Sequence, residues 1–182
     1  MYRGMVFCDH SNFEIVFQDY YKKNNKPTPP LDYHSLFKNI VHLVPNVDFL
    51  KAIMFISRPD DESMKNDSIS GHYKWESGIG VYPFIDIVEG DLRTNSGYRE
   101  QKGVDINLAI HALSKAYVNA YDFAFIMSAD SDFIYLYDML KNLGKIVYVV
   151  IVKGQNISRI IPHIDDCISL DDGFFRTCLR NS

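Results

Sequence analysis

The chain has 182 residues, a net charge of −4 and 47% hydrophobic residues. No stretch approaches the roughly 20 apolar residues of a membrane-spanning helix, and the first apolar run is too short for a signal peptide. Without a long basic run, the charge gives no bulk signal for nucleic-acid binding, and the three cysteines lack the CxxC spacing of a metal or redox site. We therefore expect one cytoplasmic domain over residues 1–182, large enough to bury a core.

The first predicted strand is Met5–Asp9, an apolar run that ends in a carboxylate. The following residues, His10–Glu14, are polar and predict a turn. Asp9 and Asn12 therefore lie at the carboxyl end of a strand, where ligands collect in open α/β sheets. The simpler alternative is that Asp9 caps a turn or helix, because Asp and Asn both bond their own backbone in turns.

The next segment is the densest local basic cluster, with Lys22, Lys23 and Lys26 followed by three prolines. The prolines keep this segment from forming a helix and predict a surface loop. A solvated loop is the simpler interpretation, and contact with an anionic polymer near the site is the alternative.

The middle of the chain alternates helical and extended patterns up to a polar stretch that predicts a mobile loop. In order, the patterns predict a helix capped by Asp32, a strand, a helix, a strand and the loop: Asp32–Val44, Phe49–Ser57, Tyr73–Gly80, Val81–Val88 and Glu89–Gln101.

The stretch Lys102–Asp105 opens a helix that is predicted to begin near Gly103 or Val104. Asp105 then lies in the first turn, where an acidic residue is common for dipole reasons alone. Lys102 suits a group that meets phosphate. The helical period predicts one core face, made of Ile106, Ala109, Ile110, Leu113, Ala116 and Tyr117.

The strand predicted over Tyr121–Met127 ends in Ser128 and leads through Asp130 and Asp132 into a helix that stops at Gly144. Here too, a capping role is the simpler interpretation of the carboxylates. Three shorter elements follow, a strand, a helix and a strand: Ile146–Val152, Ile157–Ile161 and Cys167–Leu170. This alternation predicts a parallel sheet with helices on both faces.

Four carboxylates are expected at one edge of this sheet if the first and fourth predicted strands are neighbours: Asp9, Asp105, Asp130 and Asp132. Packed together, they repel unless they are protonated or neutralised. One or two Mg²⁺ or Mn²⁺ ions would neutralise them. Such an ion can polarise a phosphate and generate a hydroxide for in-line attack, which predicts phosphodiester hydrolysis.

Three motifs in this order resemble the NYN domain family, a branch of the PIN-like nuclease fold: Asp9–Asn12, Lys102–Asp105, and Ser128–Phe133 followed by Leu143–Lys145. The resemblance runs from about residue 4 to 170. It implies a three-layer α/β/α domain with a central, mainly parallel sheet of five or six strands. The family commonly has glycine where His10 and Ala129 stand, so Ala129 must have a negative φ or carry strain, and His10 could narrow the pocket or bond substrate.

The resemblance also implies a divalent-metal ribonuclease site, with Asp9, Asp105, Asp130 and Asp132 as metal ligands and catalytic groups. Asn12, Lys102 and Ser128 would contact the substrate or support the site. The expected partner is RNA, single-stranded or structured, with no membrane and with self-association left open.

Three functions are considered for this pattern of residues, and the one it favours is a metal-dependent endoribonuclease. The second is a non-catalytic module of the same fold that binds RNA, nucleotide or a protein partner. The third, a phosphatase-like hydrolase with an Asp nucleophile, is disfavoured because Ser11 stands where a second Asp would follow Asp9.

Overall fold

The structure is a computed structural model that describes residues 1–57, 84–95 and 98–180. The helix predicted over residues 73–80 and the start of the strand predicted over residues 81–88 lie outside the described residues. Within these ranges, we find no helix that could span a membrane.

Among the described residues, seven strands form one central sheet, with the order β4-β3-β2-β1-β5-β6-β7. All neighbouring strands are parallel except β3 and β4, so six parallel strands carry one antiparallel edge strand. The mainly parallel sheet is therefore confirmed. The strands are β1 (Tyr2–Asp9), β2 (Val47–Ser57), β3 (Ile85–Asn95), β4 (Tyr98–Lys102), β5 (Phe123–Met127), β6 (Ile146–Val152) and β7 (Asp166–Leu170).

Helices cover both faces of the sheet, which gives the predicted three layers. They are α1 (His10–Lys23), α2 (Tyr33–His42), α3 (Val104–Tyr117), α4 (Ile134–Asn142) and the short α5 (Asp172–Phe175). In β1, Val6 and Cys8 join the core beneath α1 and α2, whereas Met5 and Phe7 join the core beneath α3 and α4. This alternation buries β1 on both sides, which explains its continuous apolar sequence.

The predicted turn at His10–Glu14 is wrong, because α1 begins at His10 directly after β1. Asp9 caps this helix, and Phe13, Phe17 and Tyr21 recur at intervals of four on its buried side. The polar residues of the first turn masked that period.

The predicted mobile loop over Glu89–Gln101 is also wrong. Its described residues continue β3 to Asn95 and return as β4, paired from Asp91 with Lys102 to Asn95 with Tyr98. An edge hairpin needs no continuous apolar run, so its polar composition hid the strands. The helix predicted over Ile157–Ile161 is a turn followed by a 3₁₀-helix, Ile161–His163.

The predicted core face of α3 is partly wrong. The residues that it buries are Val104, Leu108, Ala112 and Ala116, whereas Ile106, Ile110 and Tyr117 are 65%, 57% and 65% exposed. The helix has apolar residues on two faces, so periodicity alone does not say which face meets the sheet.

Candidate active site

The site begins where β1 and β5 end side by side. These strands are parallel, and Cys8 is paired with Met127. Asp9 directly follows Cys8, and Ser128 directly follows Met127. Both residues therefore lie at the same edge of the sheet. The adjacency of the first and fourth predicted strands is confirmed.

The start of α3 lies near this edge because of the register across three other strands. In the register of the sheet, Asp9 is paired with Phe55 of β2, and Phe55 is paired with Val88 of β3. Three residues further along β3, Asp91 pairs with Lys102, the last residue of β4. Gly103 then turns the chain into α3 with a φ of +90°, a conformation that suits glycine.

Asp9 is both a helix cap and a buried acid. Its Oδ1 atom accepts a hydrogen bond from the backbone N–H of Asn12 at 3.2 Å, and the residue is 5% exposed. Burial raises the pKa of Asp9 to about 6; the hydrogen bond from Asn12 opposes this shift, and the charges of Asp105 and Asp130 add to it. The capping interpretation is thus correct. The negative charges of Asp105 and Asp130 also act on the carboxylate of Asp9.

Asp105 lies in the first turn of α3 and is exposed at the surface. Its pKa is raised by partial burial and by the negative charges of Asp130 and Asp132. The four carboxylates singled out from the sequence therefore share one electrostatic environment, although they come from three separate segments.

The loop after β5 carries Asp130 and Asp132. Oδ1 of Asp130 accepts from the N–H of Asp132 at 2.9 Å and caps a 3₁₀ turn, while Oγ of Ser128 accepts from the N–H of Asp130 at 3.2 Å. Each capping bond uses one carboxylate oxygen, and a carboxylate has a second oxygen for a ligand.

Ala129 occupies this turn without a positive φ. The described non-glycine residues with positive φ are Asn25, Asn46, Phe84 and Asn119. The turn therefore needs no glycine at this position, and the alternative of backbone strain is wrong.

The NYN domain model matches residues 3–171, nearly the whole chain. The chain belongs to the NYN domain family. NYN domains have a nuclease-like fold of the PIN superfamily, and nucleases of this kind generally use divalent metals.

A solved structure has the same fold. It is the crystal structure of a protein of unknown function from Vibrio parahaemolyticus RIMD 2210633, with a TM-score of 0.66 and 15% identity. The similarity covers 98% of this chain and 96% of that chain. At this identity it shows the fold alone. No curated protein matches the sequence.

Within this NYN domain, Asn12 and Ser128 line one small cleft at the carboxyl edge, together with Gln155. The sequence prediction missed Gln155, whose Oε1 accepts from the N–H of Val152 at 2.8 Å. Its position in the loop directly after β6, at the same edge as Asp9, is the signal that could have identified it.

The surface loop predicted at the lysine cluster is partly wrong, because the cluster begins inside a helix. The alternative contact with an anionic polymer stays a prediction. Lys22 and Lys23 occupy the last turn of α1, and 14 residues of helix carry them roughly 20 Å from Asp9. Lys26 forms an ion pair with Asp172, with 2.8 Å between Nζ and Oδ2. Lys102 alone among the singled-out lysines adjoins a site segment.

His10 is buried against α2. It is 4% exposed, and its Nε2 atom lies 2.9 Å from the hydroxyl of Tyr33. This position assigns His10 to the packing of α1 on α2, where a hydrogen bond to substrate is not expected.

The donor chemistry of the carboxylate edge fits a hard divalent cation. Among residues 1–57, 84–95 and 98–180, no three His, Cys, Asp or Glu side chains converge closely enough to hold a metal ion by themselves. Mg²⁺ keeps several waters and commonly takes only one or two protein carboxylates together with substrate phosphate. The arrangement therefore suits an ion held partly by water.

Proposed function

We propose that this NYN domain is a metal-dependent endoribonuclease that uses Mg²⁺ or Mn²⁺. The observation that carries the proposal is the parallel pairing of β1 with β5, which brings Asp9 and the turn with Asp130 to one edge of the sheet, where burial and the charges of Asp105 and Asp130 raise the pKa of Asp9. Perturbed carboxylates in a shared cluster are typical of functional sites. Family membership supports a nuclease-like activity.

One or two of the carboxylates of Asp9, Asp105, Asp130 and Asp132 would hold the cation directly, and water would fill its remaining positions. When bound, the ion supplies positive charge that polarises a phosphodiester. The chain's own groups preorganise this site: the N–H of Asn12 orients Asp9, and the hydroxyl of Ser128 fixes the turn that carries Asp130. These capping bonds hold the carboxylates without a large reorganisation at the moment of reaction.

RNA is the proposed substrate, with its backbone along the carboxylate edge. Lys102 directly precedes Gly103, so its ammonium is the proposed partner for a substrate phosphate. Asn12 and Ser128, which share a cleft, would contact the substrate beside the cation.

The test combines calorimetric titration with Mn²⁺ and cleavage of a circular single-stranded RNA, which has no ends for an exonuclease. The variants are Asp130→Asn, which keeps a capping side chain, and the control Asp48→Asn. Asp48 is exposed near the amino end of β2, at the opposite edge of the sheet. We expect Asp130→Asn to lose both metal binding and cleavage while the control keeps both.

Two results would overturn the proposal. Absence of metal binding by the natural protein at millimolar Mn²⁺ would remove the catalytic site. Metal binding without cleavage of circular or linear RNA would favour the non-catalytic module that binds RNA, nucleotide or a protein partner.

A further inference from the structure

The outward face of α3 carries an apolar stripe opposite its buried side. Ile106, Ile110 and Tyr117 are more than half exposed, and Leu113 between them is partly buried. The spacings are four, three and four residues, which is the pattern of a helix–helix seam. The buried side of α3 is already complete without these residues, so the stripe is a second apolar face.

This stripe continues onto α4, the other helix of the same layer. Tyr135 and Met139 are 82% and 43% exposed, and both helices contribute to one core cluster. On one flank of α3 the ring of His111 lies 5.6 Å from that of Phe55 in β2. The opposite flank, with Leu113, therefore faces α4, so the exposed apolar residues of the two helices adjoin.

The stripe carries no charge. The charged side chains of α3 are Asp105 in its first turn and Lys115 in its last, and both project from the side of the helix that holds the buried residues, away from the stripe. Surfaces that meet water alone are normally rich in charge, whereas the centres of protein interfaces are depleted of it.

The area of the patch fits a dimer. With roughly 200 Å² for each tyrosine and about 100 Å² for each aliphatic side chain, the exposed apolar area of α3 and α4 is about 450 Å². A standard interface buries about 800 Å² on each partner, of which about 65% is apolar in homodimers. The patch thus supplies most of the apolar area that one copy contributes.

We propose that this patch is the interface of a symmetric homodimer in which α3 packs antiparallel on α3 of a second copy. The spacing of four, three and four residues is the same in both chain directions. The stripe therefore matches the same stripe on an antiparallel helix of a second copy. Ile106 then meets the partner's Tyr117, and Ile110 meets the partner's Leu113. A two-fold axis makes each of these contacts twice, and the opposed helix dipoles favour the antiparallel arrangement.

The same axis stacks α4 on α4 of the second copy, which builds four helices between the two sheets. The carboxylate edge lies at the amino ends of α3 and α4, beside this interface. The proposal is independent of catalysis and holds for a non-catalytic module as well.

The first test is the mass of the protein by sedimentation velocity at roughly 1 to 100 µM, since dimerisation depends on concentration. We expect a dimer for the natural protein and a monomer for Ile110→Glu. The matched control is Ile15→Glu, on α1 in the opposite helix layer and 61% exposed. It should remain dimeric, with both variants checked for folding by circular dichroism.

The second test fixes the register by oxidative cross-linking. Ile106→Cys combined with Tyr117→Cys should give a disulfide-linked dimer, whereas Ile15→Cys combined with Tyr117→Cys should not. A monomeric natural protein at all concentrations, or a dimer that Ile110→Glu leaves intact, would overturn the proposal. Loss of RNA affinity by a monomeric Ile110→Glu relative to a monomeric natural protein would overturn it in favour of an RNA-binding face.

Discussion

Oδ1 of Asp9 accepts a hydrogen bond from the backbone N–H of Asn12, so one carboxylate caps α1 and also faces the charges of Asp105 and Asp130. The cap holds Asp9 in place, while burial and the neighbouring charges disfavour its ionised form. This conflict between position and ionisation predicts how stability and metal binding depend on pH.

Replacing Asp9 with Asn should stabilise the protein at neutral pH when a chelator is present. The folded-state pKa of Asp9 is raised to about 6, above its ordinary value of 3.8. Its contribution to stability is therefore fully present below pH 3.8 and is lost as pH rises through about 6. The loss is at most about 3 kcal/mol. Thermal unfolding from pH 4 to 7.5 should show that the stability of Asp9→Asn increases relative to that of the natural protein as pH rises.

The control for this prediction is Asp9→Ala, which removes the charge and also the cap. Loss of an N-cap costs about 1 kcal/mol, so Asp9→Ala should be less stable than Asp9→Asn at every pH. Parallel pH profiles for Asp9→Asn and the natural protein would show that the pKa of Asp9 is not raised.

Acidification should weaken the binding of Mn²⁺ to the natural protein. Protons compete with the ion for Asp9 below its pKa of about 6. Calorimetry at pH 7.5, 6.5 and 5.5, corrected for buffer protonation, should show affinity falling by up to about tenfold per pH unit in the lower range. Asp9→Asn should bind more weakly and with a shallower pH dependence. Equal slopes for the two proteins would exclude Asp9 as a ligand.

Removing the hydroxyl from each of two fully buried tyrosines should change the unfolding free energy in opposite directions. The Tyr137 hydroxyl has no hydrogen-bond partner in the part of the chain that the structure describes, whereas the Tyr121 hydroxyl donates to the carbonyl of Ala112 at 2.9 Å. An unsatisfied buried group costs about 1 to 3 kcal/mol. Tyr137→Phe should therefore raise the unfolding free energy by about 1 kcal/mol, and Tyr121→Phe should lower it by about 1 kcal/mol.

Urea unfolding of the two variants checks this pair. Destabilisation by Tyr137→Phe would mean that its hydroxyl finds a partner in solution. The pKa of Tyr137 is raised mainly by burial and also by the charge of Asp130. Asp130 is therefore the first candidate for that partner.

Gly4 should not tolerate a larger side chain. A Cβ atom at this position of β1 would lie 2.8 Å from Cγ1 of Val41 and 2.9 Å from Cγ1 of Val47. Overpacking of this kind costs about 1 to 3 kcal/mol, so Gly4→Ala should lower the unfolding free energy by that amount. Gly173→Ala, where the closest atom is 3.3 Å away on the side chain of Asp171, is the milder control. An unfolding free energy that Gly4→Ala leaves unchanged would show that α2 shifts freely to make room for the methyl group.

Local patterns in the sequence predict the elements that carry the candidate site. Apolar runs that end in Asp9 and Ser128 identify two strand ends, and Asp32 and Gly144 were correctly expected at helix boundaries. These signals are local, because a cap or a strand period depends on neighbouring residues along the chain. The three motifs also identified the NYN family, which a model matching residues 3–171 confirms.

The remaining features of the site depend on contacts between distant segments, which are seen only in the folded chain. The tertiary structure places β1 beside β5, so that the charge of Asp130 acts on Asp9. It also carried Lys22 to the far end of α1. For α3, it selected Leu108 rather than Ile110 for the core, since both faces are apolar and only packing on β1 and β2 distinguishes them. Sheet order and the choice between two apolar faces are set by long-range packing, and no local period encodes either one.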